Sequence, residues 1–482
     1  MVIHAMDGFL RFGGTLGGME TREAGAFNDR RLERRLDWLR ERIGRNPGVG
    51  FPQMVETDSD LEAVYRFLRN PRVTERAILD DHTGDVREKV VSEPQILVAH
   101  DTTEFAFGGE SKRSGLGRLR AGGQGFFAHF SLAMRADGSR RPLGVLALQT
   151  QFRHAPARRL TNKESRANPQ RRTFKWGIGV SAVEKVLNGA TSAIHLMDRE
   201  ADAYEVLAGL GQKGHRFVVR VRQERLVRDE AGKSKLLLDA LDGLASVLVR
   251  EVPLTARSPK RINPKHCHPP RRERLASLHF RARTVILPRP PYGDPANKAL
   301  PATLAVNIVH VFEPMPPSGE PPIEWLLATS EPVDTVEQVE RVVDWYRARW
   351  VIEEYFKVLK TGCAYEKRQL ESSHALVNAL AVMVPVAVEL LTLRTDARQT
   401  PDAAASTILS STQIDVLRVM QRRHPLPLKP TVRDALLAIA AMGGHLKNNG
   451  DPGWQTLWRG FEKLLIADAA WSAALLTRSD QS

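Results

Sequence analysis

Five apolar segments between residues 95 and 221 strongly limit what this chain can fold into. They are QILVAH (95–100), FFAHFSLAM (126–134), LGVLALQ (143–149), AIHLM (193–197) and RFVVRV (216–221). Each is typical of a buried β-strand, and helical patterns lie between Trp176 and Leu187 and after Asp202. Three strands in succession, followed by alternating helix and strand, predict an α/β fold with a mixed sheet and helices packed on it.

The N-terminal region has helical patterns instead. Its first apolar stripe recurs at spacings of three and four residues, at Leu32, Leu36, Leu39 and Ile43. Because residues 28–45 also carry seven arginines, we predict an amphipathic helix with a basic outer face. A second helix is predicted from Ser59 to Arg69, with Ser59 or Asp60 as its cap. The basic face fits a solvated surface and a DNA contact about equally well.

The second half of the chain changes character twice. From about Leu236 to Glu320 it becomes proline-rich and strand-like, with many basic residues between Arg250 and Arg283, which indicates a β-rich insertion. A strand-like segment at 324–328 then leads into a long helical pattern over 336–360. The remaining chain is predicted to be helical to its end.

The charge balance bears on partners and location. Seventy lysines and arginines against 56 aspartates and glutamates give a net charge of +14, which favours a polyanion, nucleic acid before an anionic membrane surface. The longest apolar stretch, Ala375–Leu393, is interrupted by Asn378 and Glu389, so we predict a buried helix and no membrane partner. Two cysteines and no visible secretory signal predict a cytoplasmic protein.

Two aspartates directly follow apolar strand patterns. Asp101 comes after ILVAH, and Asp198 comes after AIHLM. A carboxylate at the end of a buried strand is costly unless something compensates it, so such positions often hold a ligand or a metal ion. Taken one at a time, each is more simply interpreted as a helix or turn cap.

One stripe of the long helical pattern carries Tyr346, Arg349, Glu353 and Lys360. At about 100° per residue these positions fall within roughly 60° of one another, whereas Glu354 falls about 100° from Glu353 and is not expected to replace it. The neighbouring stripe is apolar and comprises Trp345, Ile352, Phe356 and Leu359. Alone, the polar stripe fits a solvated, salt-bridged face better than a site.

Taken together, the three acids Asp101, Asp198 and Glu353 have a clear chemical use. Mg²⁺ and Mn²⁺ prefer hard oxygen ligands, and an aspartate shared between two such ions about 4 Å apart supports phosphoryl transfer. Cations beside the acids, such as Arg349 and Lys360, would hold the phosphates on either side of the scissile bond.

These segments resemble the three motifs of the DDE transposases with an RNase H-like core. The motifs are HDTTEFAF around Asp101, LMDREADAYE around Asp198, and Tyr346-x2-Arg349-x3-Glu353-x6-Lys360. The last is similar to the Tyr-Arg-Glu-Lys signature of the cut-and-paste insertion-sequence group typified by the transposase of bacterial transposon five. Further similar segments, in matching order, are AVYRFLRNP (63–71), NKES (162–165), RFVVR (216–220), PIEWLLATSEPV (322–333) and GWQTLWRGFE (453–462).

The resemblance implies roles for particular residues. Asp101, Asp198 and Glu353 would be catalytic and would bind two Mg²⁺ or Mn²⁺ ions per active site. The DNA contacts that it implies are Tyr346, Arg349 and Lys360 on the phosphates of the transposon end, with Arg220 close by. Trp325 matches an aromatic residue that stacks on a flipped-out base, although a core tryptophan on a strand is an equally good interpretation without the resemblance. Candidate contacts to the terminal inverted repeats are Arg30, Arg31, Arg34, Tyr65, Arg66 and Arg69.

The implied architecture is an α/β, RNase H-like mixed-sheet catalytic core with a β-rich insertion, flanked by an N-terminal helical DNA-binding domain and a C-terminal helical domain. The boundaries are 1–75 for DNA-end binding, 76–235 and 323–396 for the catalytic core, 236–322 for the insertion, and 397–482 for dimerisation. The expected partners are double-stranded DNA, at transposon ends and target, and a second copy of the chain in the DNA complex. The expected location is the bacterial cytoplasm, on the nucleoid when DNA is bound.

The implied reaction is cut-and-paste transposition. One strand is hydrolysed at the transposon end, the freed 3′-hydroxyl attacks the opposite strand to leave a hairpin, water opens the hairpin, and the 3′-hydroxyl joins target DNA. Two alternatives are a nuclease that does not join strands and a transposase-derived DNA-binding regulator. A regulator predicts loss of an acid or a signature cation, and all are present here; a nuclease has no need for Tyr346, Arg349 and Trp325.

Overall fold

The fold is described from a computed structural model. It describes residues 27–45, 48–109, 112–120, 122–154, 174–229, 232–263, 266–291, 299–421, 424–446 and 452–479. The NKES segment at 162–165 lies outside these ranges.

Four helices precede the sheet. They are α1 (Arg30–Arg45), α2 (Phe51–Met54), α3 (Asp58–Arg69) and α4 (Glu75–Val91). The predicted apolar stripe of α1 faces inward, since Leu36, Leu39 and Ile43 are at most 1% exposed. The cap of α3 is Thr57, whose side chain accepts the backbone N–H of Asp60, so the predicted cap at Ser59 or Asp60 is wrong.

The five predicted strands and both predicted helices are present in the central layer. The elements are β1 (Gln95–Phe107), β2 (Gly117–Arg118), β3 (Gln124–Arg135), β4 (Pro142–Gln151), α5 (Phe174–Leu187), β5 (Ser192–Met197), α6 (Tyr204–Gln212) and β6 (Arg216–Arg220). Strand β1 is parallel to β5 and antiparallel to β3, and β5 is parallel to β6. The sheet is therefore mixed, as predicted. Strand β1 continues beyond His100, so Asp101 lies within it and not after it.

The β-rich segment extends this same sheet. Its elements are β7 (Leu226–Arg228), β8 (Ser234–Leu236), α7 (Leu237–Leu241), β9 (Leu248–Leu254), β10 (Lys260–Asn263), β11 (His266–His268), β12 (Arg274–Pro288) and β13 (Thr303–Phe312), followed by β14 (Glu324–Thr329). The strand order is β2-β3-β1-β5-β6-β14-β13-β12-β7-β8, with β4 on β3 and β9 on β12. Only the β10–β11 pair, among the described strands, forms a separate sheet.

The long helical pattern over 336–360 is not one helix. It divides into α8 (Val336–Ala348), α9 (Val351–Lys357) and a π-helical turn at Val358–Gly362. The prediction of a continuous helix is wrong at Arg349 and Trp350, where the α-helical hydrogen-bond pattern is interrupted. Its apolar stripe is nevertheless buried as predicted, with Ile352 and Leu359 fully inaccessible to solvent.

Helix α10 (Ser373–Gln399) is long and apolar enough by length and composition to cross a membrane. In the structure 78% of its most apolar window is buried inside the protein, where it packs on α1, α3, α4 and β4. This agrees with the predicted buried helix. Because α10 touches both the N-terminal helices and the sheet, those two parts share one apolar core.

Three helices complete the described chain. They are α11 (Ser411–Met420), α12 (Val432–Met442) and α13 (Trp454–Ser479). Helices α12 and α13 cross so closely that a Cβ atom on Gly460 would lie 1.7 Å from the backbone oxygen of Ile439. Leu457 and Trp458, within the segment GWQTLWRGFE, are buried against their own chain and are therefore not available to a second copy of the protein.

We predict that Asn378→Leu lowers the free energy of unfolding by about 2–4 kcal/mol. The Asn378 amide is fully buried in α10 and donates to the carbonyl oxygens of Leu68 and Val73 at 3.0 and 2.9 Å, so the change leaves two buried acceptors unpaired. Denaturant unfolding measures the effect. As a control, Thr395→Val removes a hydroxyl that bonds Leu391 of its own helix, and a loss as large as that of Asn378→Leu would contradict the prediction.

We further predict that Glu389→Gln stabilises the protein at alkaline pH. Burial raises the pKa of Glu389 from 4.5 to about 7, and Oε2 of this carboxyl has no hydrogen-bond partner among the described residues. The stability contributed by the protonated acid is therefore present below about pH 4.5 and is lost as the pH rises through 7. The melting temperature of Glu389→Gln should exceed that of the wild type by a few degrees at pH 8 and match it at pH 5. Equal melting temperatures at pH 8 would contradict this.

Candidate functional site

The acids Asp101 and Asp198 lie side by side because their strands are parallel neighbours. The register pairs Ala99 of β1 with Leu196 of β5, so two residues further along each chain Asp101 comes opposite Asp198. Asp198 ends the strand and caps a short 3-10 helix at 199–201. The two carboxylates thus lie side by side just beyond the point where the parallel pairing of β1 with β5 ends, although β1 itself continues past Asp101.

Arg349 joins Asp101 to Glu353. Its guanidinium donates from Nη1 to Asp101 Oδ2 at 2.8 Å and from Nη2 to Glu353 Oε1 at 2.8 Å. The Arg349 side chain is only 12% exposed, so these are desolvated, charge-assisted hydrogen bonds. Because Arg349 stands at the break between α8 and α9, the first turn of α9 is brought over β1 together with it.

The ionisation of the two aspartates reflects their burial and proximity. Burial raises the pKa of Asp101, although Arg349 partly opposes the rise. Burial and then the charge of Asp101 raise the pKa of Asp198 to about 6. For Arg349, burial is the largest single effect and works against the cation, but the charge of Asp101 together with the interactions of Tyr346 and Glu353 outweighs it, so the guanidinium pKa is raised. The site therefore holds more negative charge than Arg349 alone neutralises.

Backbone amides orient both aspartate side chains. The N–H of Thr102 donates to Asp101 Oδ1 at 2.7 Å, and the N–H of Glu200 donates to Asp198 Oδ1 at 2.8 Å. Each carboxylate thus has one oxygen oriented by a backbone amide of its own segment.

The chemistry of these donors fits a hard divalent cation. Within the described ranges, no three acid, histidine or cysteine side chains lie close enough together to hold a metal ion as they stand. The guanidinium of Arg349 instead occupies the position of a cation between Asp101 and Glu353, and the two aspartates repel each other beside it. Carboxylate oxygens around such an excess of negative charge are the ligands that Mg²⁺ and Mn²⁺ prefer.

A second group of predicted residues surrounds Tyr346. The Trp325 ring lies edge-on to the Tyr346 ring at 6.0 Å, and the Arg220 guanidinium lies 5.7 Å from the Trp325 ring centre. Burial raises the pKa of Tyr346, with a smaller opposing effect from Arg349. Trp325 is half-buried, so its ring is neither fully exposed to solvent nor fully enclosed in the core. Tyr346, Trp325 and Arg220 therefore form a group that adjoins Arg349.

Lys360 does not join these residues. It lies in the π-helical turn, 4.0 Å from Glu366 and 5.6 Å from the Phe105 ring centre. Phe105 is four residues beyond Asp101 on β1, or about 13 Å further along the strand. Because Asp101 and Phe105 lie on the same face of β1, Lys360 lies further along the side that Arg349 contacts, beyond a change of helix type, and its place in the polar stripe stays a prediction.

The N-terminal candidates lie on the helical surface. Arg30, Arg31, Arg34, Arg66 and Arg69 are exposed, whereas Tyr65 is half-buried. Several of these cations have acidic neighbours, such as Glu371 at 3.1 Å from Arg69. Arg40 of α1 turns inward and donates to the backbone oxygen of Ile78 at 2.6 Å. The basic face of α1 is therefore not wholly directed to solvent.

Glu354 behaves as the helical geometry predicted. It turns away from the aspartates and accepts from Arg394 Nη1 of α10 at 3.2 Å. Residues that the sequence did not single out are Thr102 and Glu200, which lie inside the two aspartate motifs, and Lys175, at the start of α5. Nothing in the pattern around Lys175 marks it, because its partners come from distant parts of the chain.

Comparisons with known proteins give matches for the N-terminal helical region and for much of the sheet-containing region. A family model described as Transposase DNA-binding matches residues 20–73, and one described as Transposase DDE domain matches residues 181–384. The second range includes Asp198, Trp325 and the residues from Tyr346 to Lys360, whereas Asp101 precedes it.

Among solved structures, the chain is similar to a piggyBac transposase in a synaptic complex with hairpin DNA, at 8% identity. The similarity covers 80% of this chain and 70% of that one with a TM-score of 0.34, which does not establish a shared fold. The two family matches stand independently of it. The chain therefore combines the DNA-binding domain and the DDE domain of a transposase.

Proposed function

We propose that this protein is a cut-and-paste DNA transposase of the transposon-five type, with an RNase H-like catalytic core. It would bind terminal inverted repeats, cleave the DNA there, pass through a hairpin and join the freed end to target DNA. The observation that carries the proposal is the Arg349 guanidinium bonded to Asp101 and Glu353 beside Asp198, within a chain that has transposase DNA-binding and DDE domains.

In this proposal Asp101, Asp198 and Glu353 hold two Mg²⁺ or Mn²⁺ ions. Such ions supply Lewis-acid stabilisation of the attacking and leaving oxygens of phosphoryl transfer. The protein's own contribution is orientation: the amides of Thr102 and Glu200 direct the aspartate oxygens, and the partly buried cleft strengthens every charge interaction in it.

Arg349 would change partners when DNA binds. A guanidinium that bridges two carboxylates is suited in geometry and charge to a phosphate, which it binds through the same pair of N–H groups. Release of Asp101 and Glu353 from Arg349 would leave their oxygens available to the divalent ions. The Tyr346 hydroxyl and Arg220 lie near enough to Arg349 to contact the same phosphate strand.

Trp325 would support the hairpin step. A sharply bent DNA end expels a base from its stack, and an indole ring replaces the stacking that the base loses. The half-buried Trp325 ring packs edge-to-face with Tyr346 and lies under the Arg220 guanidinium, so it is held in a defined orientation next to Tyr346.

The remaining parts of the proposal concern the DNA contacts, the oligomeric state and the cellular location of the protein. The exposed arginines of α1 and α3 would contact the inverted repeats, with Lys360 on phosphates further along the DNA. Two ends must be processed together, so the active form would be a dimer on DNA. The protein would act in the cytoplasm, where its DNA is found.

We predict that Asp198→Ala abolishes cleavage of end-sequence DNA in Mg²⁺ or Mn²⁺, by at least ~100-fold, while DNA binding persists. The carboxylate is needed for chemistry and not for recognition. Cleavage and gel-shift assays on the inverted repeats flanking the gene measure the two effects separately. Asp415→Ala is a matched control, since Asp415 is an exposed acid on α11 that pairs with Arg418. Undiminished cleavage by Asp198→Ala would refute the metal assignment.

We predict that Trp325→Ala reduces hairpin formation about tenfold or more while first-strand nicking continues, because only the hairpin needs the expelled base to be stacked. Denaturing gels that separate nicked, hairpin and double-cut products measure the ratio. Trp325→Phe retains an aromatic face and should preserve most hairpin formation. Nicking by the wild type without any hairpin product would refute the proposed hairpin step and favour a simple nuclease.

A further inference from the structure

Lys175 contacts both aspartate-bearing segments from the opposite side of the sheet. It lies in the first turn of α5, and its ammonium donates to Thr102 Oγ1 at 2.7 Å and to Glu200 Oε2 at 2.9 Å. Its side chain is only 12% exposed. Burying an ammonium is costly unless its donors are used, so these two bonds are the evident reason for its position.

The two partners of Lys175 are the residues whose backbone amides orient the aspartates. Thr102 N–H binds Asp101 Oδ1, and Glu200 N–H binds Asp198 Oδ1. One ammonium therefore holds, through their side chains, both residues that direct a carboxylate through their amides. A chain of hydrogen bonds therefore connects Asp101 to Asp198 through Thr102, Lys175 and Glu200, and it does not include Arg349.

The geometry of β1 explains why this contact does not interfere with the site. Side chains alternate between the two faces of a strand, so Asp101 faces α9 and Thr102 faces α5. Thr102 is further held by His129 Nδ1 at 2.9 Å, and Glu200 by Arg120 at 3.4 Å. Both partners of Lys175 are thus held on the α5 side of β1, away from Arg349.

We propose that Lys175 is a positioning residue that sets the separation and orientation of Asp101 and Asp198 for divalent-metal binding. This inference rests on the proposed metal-dependent function. Residues that hydrogen-bond to metal ligands, here Thr102 and Glu200, typically change metal affinity by 10–100-fold when mutated, because they restrict the ligands to the binding geometry, and Lys175 holds both of them. Lys175 acts on two ligands at once.

The sign of the effect distinguishes positioning from simple electrostatics. Lys175 is a cation near the metal ligands, so its removal would by charge alone strengthen the binding of Mn²⁺. Loss of positioning predicts the opposite. In calorimetric titration with Mn²⁺ of the full-length protein bound to pre-cleaved end DNA, whose phosphates can release Arg349 from the acids, we expect Lys175→Met to weaken Mn²⁺ binding about tenfold or more. Lys175→Arg should recover part of the affinity, since it keeps two donors.

The matched control is Lys185→Met, which removes an exposed cation from the other end of α5 and should leave Mn²⁺ affinity unchanged. Thermal unfolding in EDTA checks that each variant is folded. If Lys175→Met does not fold, Thr102→Val provides the second variant, since it breaks the Lys175 contact without changing charge and should also weaken Mn²⁺ binding.

The outcomes separate the two proposals. Equal or tighter Mn²⁺ binding by folded Lys175→Met, or unchanged binding by Thr102→Val, would overturn the positioning role and leave the proposed function standing. No Mn²⁺ binding by the wild type, together with DNA cleavage that survives Asp198→Ala, would overturn the metal-dependent function and this inference with it.

Discussion

The paired ion contacts of Arg349 are the interaction on which the candidate site depends. They join β1 to the start of α9 across 248 residues of sequence, and they do so at a position where the helix is interrupted. A buried guanidinium without carboxylate partners would be strongly destabilising, as would Asp101 and Glu353 without it. The break between α8 and α9, the direction of Glu353 and the ion pairing of Asp101 therefore form one linked arrangement.

The two faces of β1 make different contacts in the candidate site. Asp101 on one face meets Arg349, while Thr102 on the other meets Lys175 and His129. Because side chains alternate along a strand, β1 presents Asp101, a candidate catalytic residue, on one face and Thr102, whose amide orients Asp101, on the other. Parallel pairing with β5 then brings Asp198 into register, because equal steps along neighbouring parallel strands keep side chains level.

The DNA-binding domain at the N-terminus is attached to the rest through a shared core. Helix α10 packs on α1, α3 and α4 and on β4, and the Asn378 amide fixes the turn between α3 and α4. A helix so apolar tolerates a buried amide because both its donors are satisfied. In the proposed function, this packing keeps DNA recognition in a fixed spatial relation to the three acids, as processing of a defined DNA end requires.

Local patterns were enough to predict the strands at 95–221, the helices α1, α3 and α5, the buried character of α10 and the turn of Glu354 away from the site of Glu353, because each depends on periodicity or on the angle between helical neighbours. The motifs around Asp101, Asp198 and Arg349 indicated the class of protein. The tertiary structure alone decided that β12 and β13 extend the central sheet, that the helix carrying the Tyr346–Lys360 stripe is interrupted at Arg349, and that Lys360 lies in a π-helical turn. It alone brought Lys175 to Thr102 and Glu200. These features depend on contacts between residues distant in sequence, whose free energies are set by burial and charge pairing that no local pattern records.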